Sequence, residues 1–250
     1  MLFQAHRGVS TEFPENTMPA FRAAWEQGYQ VIELDPTFTA DEECIVFHDA
    51  TINRTCRTPN LEPIQEPRKV CDLTYEELLG YDAGSYMGLQ FRGTKVSQLS
   101  EVLAFAQQTG LLVKLDNKFE KFVPHLREKF YRIVEASGAR VAFTCANPET
   151  ICQVAERFPD AGIHYDGFVD ENAILTVRSL LNNNPFTVWL PLPSKLTAWV
   201  KVPIANPALC ETVKRHAMLG LWILETEEQL EEAVSLGADI IETTGAVKPR

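Results

Sequence analysis

The amino-acid sequence predicts one α/β domain folded as a (β/α)8 TIM barrel. Short apolar runs of strand length alternate with amphipathic stretches of helix length for about eight repeats, which is typical of a parallel sheet covered by helices. The chain has 250 residues, a length that suits such a barrel as a single domain. A doubly wound open sheet is the alternative, but the sequence has no GxGxxG or GxxxxGKS/T loop to support a nucleotide-binding version of it.

The strands and helices are predicted from the spacing of their apolar residues. Strands are expected at residues 2–5, 30–35, 44–48, 111–116, 140–144, 162–165, 186–190, 221–224 and 240–242. In the first expected helix, residues 15–27, Met18, Phe21 and Trp25 lie at helical spacing, and Gly28 supplies a stop. The later helices are expected at residues 74–79, 100–108, 119–136, 148–157, 171–181, 207–218 and 227–236.

Residues 49–96 interrupt this alternation. Pro59, Pro63 and Pro67 accompany turns and scattered aromatic residues, and only one short helix is expected there. We interpret the segment as an inserted subdomain of a single barrel domain that spans residues 1–250. A long loop that follows a barrel strand lies over the active-site face, so we expect the insertion to influence substrate choice.

The charge balance argues against several classes of function. Asp and Glu total 34 and Lys and Arg total 23, a net charge of −11, so sequence-independent binding to nucleic acid or anionic lipid is not expected. No apolar run approaches the ~20 residues of a membrane span, and the chain opens without the basic and apolar regions of a signal peptide. We therefore predict a cytoplasmic protein without stable membrane association. Its six cysteines are expected to be reduced, with a Cys56–Cys71 bridge as the alternative.

Acidic residues lie on two of the predicted strands. In VIELDPTF, Glu33 and Asp35 point to the same face, and two adjacent carboxylates are costly to bury without a cation. In LLVKLDNK, the same alternation places Lys114, Asp116 and Lys118 on one face. Three hard oxygen ligands suit Mg²⁺ or Ca²⁺, or Mn²⁺, better than zinc or copper. The alternative is that these acids are solvated or salt-bridged strand ends.

Two histidines follow predicted strands, where a barrel places its catalytic groups. His6 lies in AHRG and His48 in VFHD, and imidazole titrates near neutrality, which suits acid–base catalysis. His164 also lies at a strand end and is an outside candidate for substrate contact. Trp189 and Trp199 could stack on a substrate, but core packing is the favoured interpretation for both.

The N-terminal sequence resembles the signature of the glycerophosphodiester phosphodiesterase family. The matching motifs, in order, are His6-Arg7-Gly8, Glu15-Asn16-Thr17, Ala20-Phe21, Glu33-x-Asp35, His48-Asp49 and Ile52-x-Arg54-Thr55. The match is specific over residues 4–55 and recognisable to about residue 118. Several motifs in the expected order are much more specific than one short pattern.

The resemblance implies a TIM barrel with a small insertion after the second barrel strand, and a divalent cation held by Glu33, Asp35 and a third acid. That third acid is usually the glutamate of a Glu-x-Lys strand, and Asp116-Asn117-Lys118 stands in its place here. Lys118 matches the phosphate-facing lysine of the family. Lys114 has no counterpart to which a role can be assigned.

The C-terminal third departs further from the family, which commonly has a Trp-Thr-x-Asn strand end. Trp222 is retained, and the resemblance marks it as a substrate-binding residue. Glu225 replaces the asparagine, and it could contact a hydroxyl or a cationic head group, or be solvated at a helix start. This difference from the family therefore leaves the identity of the alcohol more open than the phosphodiester chemistry.

The resemblance also implies roles for the other motif residues. Arg7 and Lys118, with the cation, would bind the phosphate oxygens. His6 and His48 would transfer protons as base and acid, with His6 favoured as the base.

The implied reaction is hydrolysis of a glycerophosphodiester, or of a related polyol or sugar phosphodiester. Its products would be an alcohol and a phosphomonoester such as glycerol 3-phosphate, and Glu15 and Asn16 would position His6 or a substrate hydroxyl. The alternatives are a phospholipase D-like lyase that releases a cyclic phosphate, and a barrel that only binds a phosphodiester. The sequence leaves the alcohol, the native metal, the route through a cyclic phosphate and a homo-oligomeric state open.

Overall fold

Eight parallel strands close into a barrel, as the sequence predicts. The computed structural model describes residues 1–194, 197–198 and 200–249. The strands are β1 (Leu2–Ala5), β2 (Val31–Leu34), β3 (Pro36–Phe38), β4 (Cys44–Val46), β5 (Leu112–Leu115), β6 (Val141–Cys145), β7 (Gly162–Tyr165), β8 (Thr187–Pro191), β9 (Met218–Leu224) and β10 (Ile240–Thr243). The barrel order is β1, β2, β5, β6, β7, β8, β9 and β10, and β10 pairs with β1 to close it.

The expected strand at residues 44–48 is not part of the barrel. It is the short strand β4, which pairs antiparallel with β3 in a separate hairpin. Residues 39–43 join the two strands, and such a link is much shorter than the dozen or so residues that a parallel crossover needs. The excursion between β2 and the helix that precedes β5 therefore covers residues 35–98, whereas the sequence predicted residues 49–96.

Helices cover the outside of the barrel, and one short helix lies in the excursion. Those of the described residues are α1 (Met18–Glu26), α2 (Tyr75–Leu79), α3 (Leu99–Thr109), α4 (Pro124–Ser137), α5 (Pro148–Arg157), α6 (Glu171–Leu180), α7 (Pro207–Lys214) and α8 (Glu227–Leu236). Buried apolar residues of the helices and strands form one core, in which Phe130 of α4 and Phe143 of β6 both contact Phe119. The excursion has a smaller apolar cluster of its own around Ile45 and Leu78.

Three predicted helices have clearly different bounds. The helix expected at residues 207–218 ends at Lys214, and Met218 already begins β9. Prolines explain the other two differences. The helix expected at residues 119–136 is a 3-10 turn (Asn117–Lys121) followed by α4, because Pro124 fits the first turn of a helix and not its interior. The helix expected from residue 15 begins at Met18, with a proline in its first turn. Asn16 precedes it with a φ of +57°, which is outside the helical region.

Three further expectations can be compared with the described residues. All six cysteines are among these residues, and each is a free thiol. No helix in the described ranges is both long and apolar enough to cross a membrane. Trp189 is buried in the barrel interior, in line with a packing role, whereas Trp199 lies outside the described residues.

Gly8 packs against helix α1 because it has no side chain. Its φ of +79° lies in the left-handed region, and an added Cβ would lie 2.6 Å from the Ala20 Cβ. Replacing Gly8 by alanine should lower the free energy of unfolding by ~2–4 kcal/mol, from backbone strain plus overpacking. Gly110→Ala is the matched control, because Gly110 has a φ of +76° with nothing within 4 Å of the added Cβ. Urea denaturation measures both variants, and equal losses would contradict the packing argument.

Candidate active site

The three acids predicted as metal ligands meet at the carboxyl-terminal end of the barrel. Glu33 lies on β2, and Asp35 and Asp116 directly follow β2 and β5. These strands are neighbours in which Leu34 pairs with Leu115, and the Asp116 N–H donates to the Leu34 carbonyl at 3.0 Å. One oxygen of each carboxylate lies within 4.8 Å of the other two, so this acid cluster could hold a metal ion.

Burial and crowding disfavour the ionised form of two members of the acid cluster. Burial raises the pKa of Glu33 well above its usual value, and the charges of Asp35 and Glu242 raise it further. Burial also raises the pKa of Asp116 to about 6, and Asp35 contributes to that shift. A divalent cation would stabilise all three carboxylates as anions, so both the donor atoms and their electrostatics fit such an ion.

Asp35 is held by three neighbouring side chains. Arg7 Nε lies 3.3 Å from Asp35 Oδ2, Lys118 Nζ lies 3.1 Å from Oδ1, and Asn16 Nδ2 donates to Oδ2 at 2.8 Å. Burial opposes ionisation of Asp35, but Lys118 and Arg7 outweigh it and hold the pKa below its usual value. Asn16 thus orients Asp35, whereas the sequence analysis expected it beside His6 or a substrate hydroxyl.

Lys118 reaches the site from a turn and not from a strand. β5 ends at Leu115, and Asp116 caps the following 3-10 turn by accepting the Lys118 N–H at 3.0 Å. The predicted strand alternation therefore holds through Asp116, whose backbone is extended, and is wrong for Lys118, which lies in the turn. Lys114, Asp116 and Lys118 nevertheless line the same cavity. The Lys118 ammonium also donates to the His48 carbonyl, which ties the excursion to the barrel.

Both predicted histidines line the chamber that contains the acid cluster. His6 Nε2 lies 3.9 Å from a Glu33 carboxylate oxygen, and burial lowers the pKa of His6 to about 4. Its imidazole is therefore neutral at physiological pH. His48 comes from the excursion, and its Nδ1 lies 2.6 Å from Asp49 Oδ1, which fixes the ring and leaves Nε2 for another contact.

Arg54 joins the loop after β1 to the excursion. Its guanidinium donates to Glu15 at 2.6 and 2.8 Å and to Asp49 at 2.6 and 3.0 Å. Glu15 in turn accepts from Arg7 at 3.0 Å, and Asp49 contacts His48. Glu15 therefore holds two arginines and not His6. Arg54 belongs to a motif noted in the sequence, but its spacing alone gave no sign of this link.

Replacing Arg54 by glutamine should lower kcat by about 10²-fold, because a shift of ~1 Å in a catalytic side chain can cost that much. Stability should change little, since the Arg54 side chain is 48% exposed. Arg132→Gln is the control, because Arg132 pairs with Glu128 on an exposed face of α4. Steady-state kinetics and thermal melts check both variants. A wild-type kcat for Arg54→Gln would contradict the positioning role.

The site consists of two adjacent chambers. The inner chamber, of about 300 Å³, contains the acid cluster and both histidines. The outer chamber has about 490 Å³. Both chambers are lined by His6, Arg7, His48 and Trp222. A ligand bound beside the two histidines could therefore extend into either chamber.

A buried ion pair lies in the inner chamber. Lys114 Nζ lies 3.3 Å from Glu242 Oε2 and 3.9 Å from the centroid of the Trp189 ring. The Trp189 indole N–H donates to His164 Nδ1 at 2.9 Å, and burial lowers the pKa of His164 to about 3. His164 is therefore a packing partner of Trp189. Neither His164 nor Glu225 lines a chamber.

Thr144, Asp166 and Glu242 line the inner chamber but had no role in the sequence analysis. Thr144 lies on β6, Asp166 directly follows β7, and Glu242 lies on β10. Each stands near the carboxyl end of a barrel strand, and that position is the signal that could have identified them. For Glu242, a charge inside an otherwise apolar strand is a second signal.

Sequence comparison identifies relatives of this chain. Residues 6–165 match the glycerophosphoryl diester phosphodiesterase family. A glycerophosphodiester phosphodiesterase from Caldanaerobacter subterraneus is 28% identical over 246 residues, which cover 96% of this chain and 92% of the relative. Another from Bacillus altitudinis is 34% identical over 134 residues, which cover 52% of this chain and 51% of the relative.

Solved structures with the same fold include proteins with low sequence identity. A phosphodiesterase from Oleispira antarctica, solved in complex with the product sn-glycerol-3-phosphate, has a TM-score of 0.76 at 17% identity over 98% of this chain and 94% of its own. A glycerophosphoryl diester phosphodiesterase from Parabacteroides distasonis has a TM-score of 0.74 at 20% identity over 97% of this chain and 82% of its own. These likenesses confirm the TIM-barrel fold.

Proposed function

Because the chain belongs to the glycerophosphoryl diester phosphodiesterase family, we propose that it hydrolyses glycerophosphodiesters to an alcohol and sn-glycerol 3-phosphate, with a divalent cation at the acid cluster. The family consists of phosphoric diester hydrolases, and this chain is an enzyme of that class. One observation carries the finer proposal: two histidines, Arg7, Lys118 and the acid cluster line the same chamber. The Oleispira relative, solved with sn-glycerol-3-phosphate, supports the choice of product.

In this proposal Glu33, Asp35 and Asp116 hold the cation. All three offer carboxylate oxygens, which favours Mg²⁺ or Ca²⁺, with Mn²⁺ as a further candidate. When bound, such an ion polarises a phosphoryl oxygen and stabilises charge that develops on it. The raised pKa of Glu33 supports the assignment, because a site built from crowded, buried carboxylates is stabilised by a positive charge.

Arg7 and Lys118 would bind the non-bridging phosphate oxygens. Their side chains lie beside Asp35 and remain 18% and 26% exposed, so each can reach a ligand at the cluster. Fixed cationic donors in a chamber of low dielectric stabilise the extra charge of a five-coordinate phosphorus. Trp222, which lines both chambers, is proposed as a further contact for the substrate.

The two histidines would transfer the protons. His6, which is neutral, accepts the proton of the attacking hydroxyl as its oxygen bonds to phosphorus. His48, held by Asp49, protonates the oxygen of the leaving alcohol as the bond between that oxygen and phosphorus breaks. The attacking hydroxyl is either water or the vicinal hydroxyl of the glycerol arm, which gives a cyclic phosphate that water then opens.

Phosphorus-31 NMR of the purified protein with glycerophosphoethanolamine and Mg²⁺ or Ca²⁺ tests the proposal. We expect a phosphomonoester signal that matches sn-glycerol 3-phosphate and is absent when excess EDTA is present. A transient cyclic-phosphate signal would identify the route, and a persistent one would replace hydrolysis by the lyase alternative. Failure to convert this or any other glycerophosphodiester would contradict the proposed function and favour a barrel that only binds its ligand.

Four statements, on the partner, the location, membrane association and the oligomeric state, stay predictions. The net charge of −11 supports a small-molecule phosphodiester as the partner and argues against nucleic acid. A cytoplasmic location and the absence of stable membrane association are expected from the sequence. Fractionation of cells that produce the full-length protein measures both, and size-exclusion chromatography with light scattering measures the oligomeric state.

A further inference from the structure

The segment that follows β10 packs against the loop that carries His6. This segment, here named the strap, comprises residues 244–249, and the loop after β1 comprises residues 6–17. The Thr244 carbonyl accepts the Thr11 N–H at 2.9 Å and the Thr11 hydroxyl at 3.1 Å. The strap therefore contacts the loop beyond His6, and it begins at the rim of the outer chamber, which Thr244 lines.

The contact between the strap and the loop is close because Gly245 has no side chain. Its φ of +109° lies in the left-handed region, and an added Cβ would lie 2.5 Å from Val9 Cγ1 and 2.7 Å from Thr11 Oγ1. Just before the strap, the Thr243 carbonyl accepts the His6 N–H at 2.9 Å. A shift of the strap would therefore move the loop, since the two are in direct contact.

Two buried hydroxyls hold the strap in place. The Thr243 hydroxyl, at the end of β10, accepts the N–H groups of Gly245 and Val247, each at 3.2 Å. The Tyr29 hydroxyl donates to the Val247 carbonyl at 2.8 Å. Thr243 and Val247 are fully buried and Tyr29 is 3% exposed, so loss of either hydroxyl would leave backbone groups without partners. We name Thr243, Tyr29 and Val247 the lock.

A surface ion pair adds little to this attachment. Lys248 pairs with Glu12 of the loop, but their side chains are 47% and 39% exposed, and exposed pairs contribute little to stability. None of the three lock residues lines either chamber, so they do not contact a ligand bound there. An effect of the lock on turnover would therefore be transmitted through the loop.

We propose that Thr243 and Tyr29 are positioning residues, which hold the strap against the loop and thereby fix His6 and Arg7 for catalysis. The inference rests on the proposed function. Within the loop, the Ser10 hydroxyl donates to the His6 carbonyl at 3.0 Å, so His6 is bonded at both its N–H and its carbonyl. A shift of ~1 Å in a catalytic side chain can cost about 10²-fold in rate, so a lock outside both chambers can still control turnover.

Removal of either lock hydroxyl tests the proposal. Thr243→Val deletes the acceptor of two N–H groups, and Tyr29→Phe deletes the donor to the Val247 carbonyl. We expect each variant to lower kcat on glycerophosphoethanolamine by about tenfold, with KM within about twofold of the wild type, because the lock contacts no ligand. Thr243→Ser keeps the hydroxyl and should retain most of the wild-type kcat. Lys248→Gln is the control on the same strap, and it should keep wild-type kcat.

Hydrogen exchange tests the lock without any substrate. Amide exchange in residues 6–17 should become faster by about tenfold or more in Thr243→Val and Tyr29→Phe, because the loop opens more often once the strap is loose. Exchange in α5 and α6, on the far side of the barrel, should stay at the wild-type rate. Tyr29→Phe decides the question if Thr243→Val does not fold.

Each outcome decides one question. A lower kcat with faster exchange in the loop, both reversed in Thr243→Ser, supports the positioning role. Wild-type kcat in Thr243→Val or Tyr29→Phe would overturn it, as would an equally low kcat in Lys248→Gln. Faster exchange throughout the barrel would also overturn it, because the hydroxyls would then only stabilise the fold. If the wild type converts no glycerophosphodiester, the proposed function fails and the positioning role with it, whereas exchange still shows whether the lock holds the loop.

Discussion

Replacing Glu33 by glutamine should nearly abolish metal-dependent turnover and, in metal-free buffer, should make the protein more stable. Glu33 is proposed as a ligand of the cation, and its loss removes several kcal/mol of transition-state stabilisation. We therefore expect kcat to fall by at least about 10³-fold. The pKa of Glu33 is raised in the folded state, which means that burial of its ionised form costs stability near neutral pH. A neutral amide avoids that cost, and its oxygen can still accept the Arg7 N–H.

Thermal melts with and without cation separate the two effects. Metal-free Glu33→Gln should melt at least about 2 °C above the metal-free wild type. Mg²⁺ or Ca²⁺ should stabilise the wild type and leave the variant unchanged. Glu12→Gln is the control, because Glu12 pairs with Lys248 at the surface, away from the acid cluster. A variant that keeps wild-type turnover, or that is stabilised by cation as the wild type is, would contradict the metal assignment.

Replacing either His6 or His48 by alanine should lower kcat by about 10²–10⁴-fold, since each would transfer a proton in the reaction. His48→Ala also removes the partner of Asp49 but leaves that carboxylate paired with Arg54, so the excursion should stay folded. Circular dichroism and thermal melts check folding, and steady-state kinetics measure turnover.

His125→Ala is the matched control, because His125 is exposed and pairs with Glu42 on the surface. It should keep wild-type kcat. Wild-type turnover in His6→Ala or His48→Ala would contradict their catalytic roles. A rise in KM at unchanged kcat would instead indicate that the histidine only binds substrate.

The barrel was predictable because its signal is repeated. Many apolar runs and amphipathic helices point to the same architecture, so errors at single elements do not change the fold. Residues 44–48 show such an error: an apolar run looks the same in a barrel strand and in a hairpin, and only the short link at residues 39–43 distinguishes them. Pro124 likewise divides the stretch expected to be one helix at residues 119–136, because proline fits the first turn of a helix and not its interior.

The acid cluster was predictable for a different reason. Glu33 and Asp35 share a strand face, and paired carboxylates in an apolar strand are rare without a cation. Thr144 and Asp166 are single polar residues at strand ends, where solvent exposure is the usual explanation. The Thr144 hydroxyl proves to be unpaired among the described residues, and Asp166 to share its chamber, only when the barrel closes around them. Arg54 is similar, since its contacts bridge loops that are distant in sequence.

The most direct test of the account is an anomalous diffraction map of crystals grown with Mn²⁺ and sn-glycerol 3-phosphate. Manganese is the probe because it binds oxygen ligands and has a usable anomalous signal. We predict one anomalous peak coordinated by Glu33, Asp35 and Asp116, with the phosphate of the product between that peak and the two histidines. A peak bound elsewhere, or a phosphate outside the inner chamber, would contradict the account.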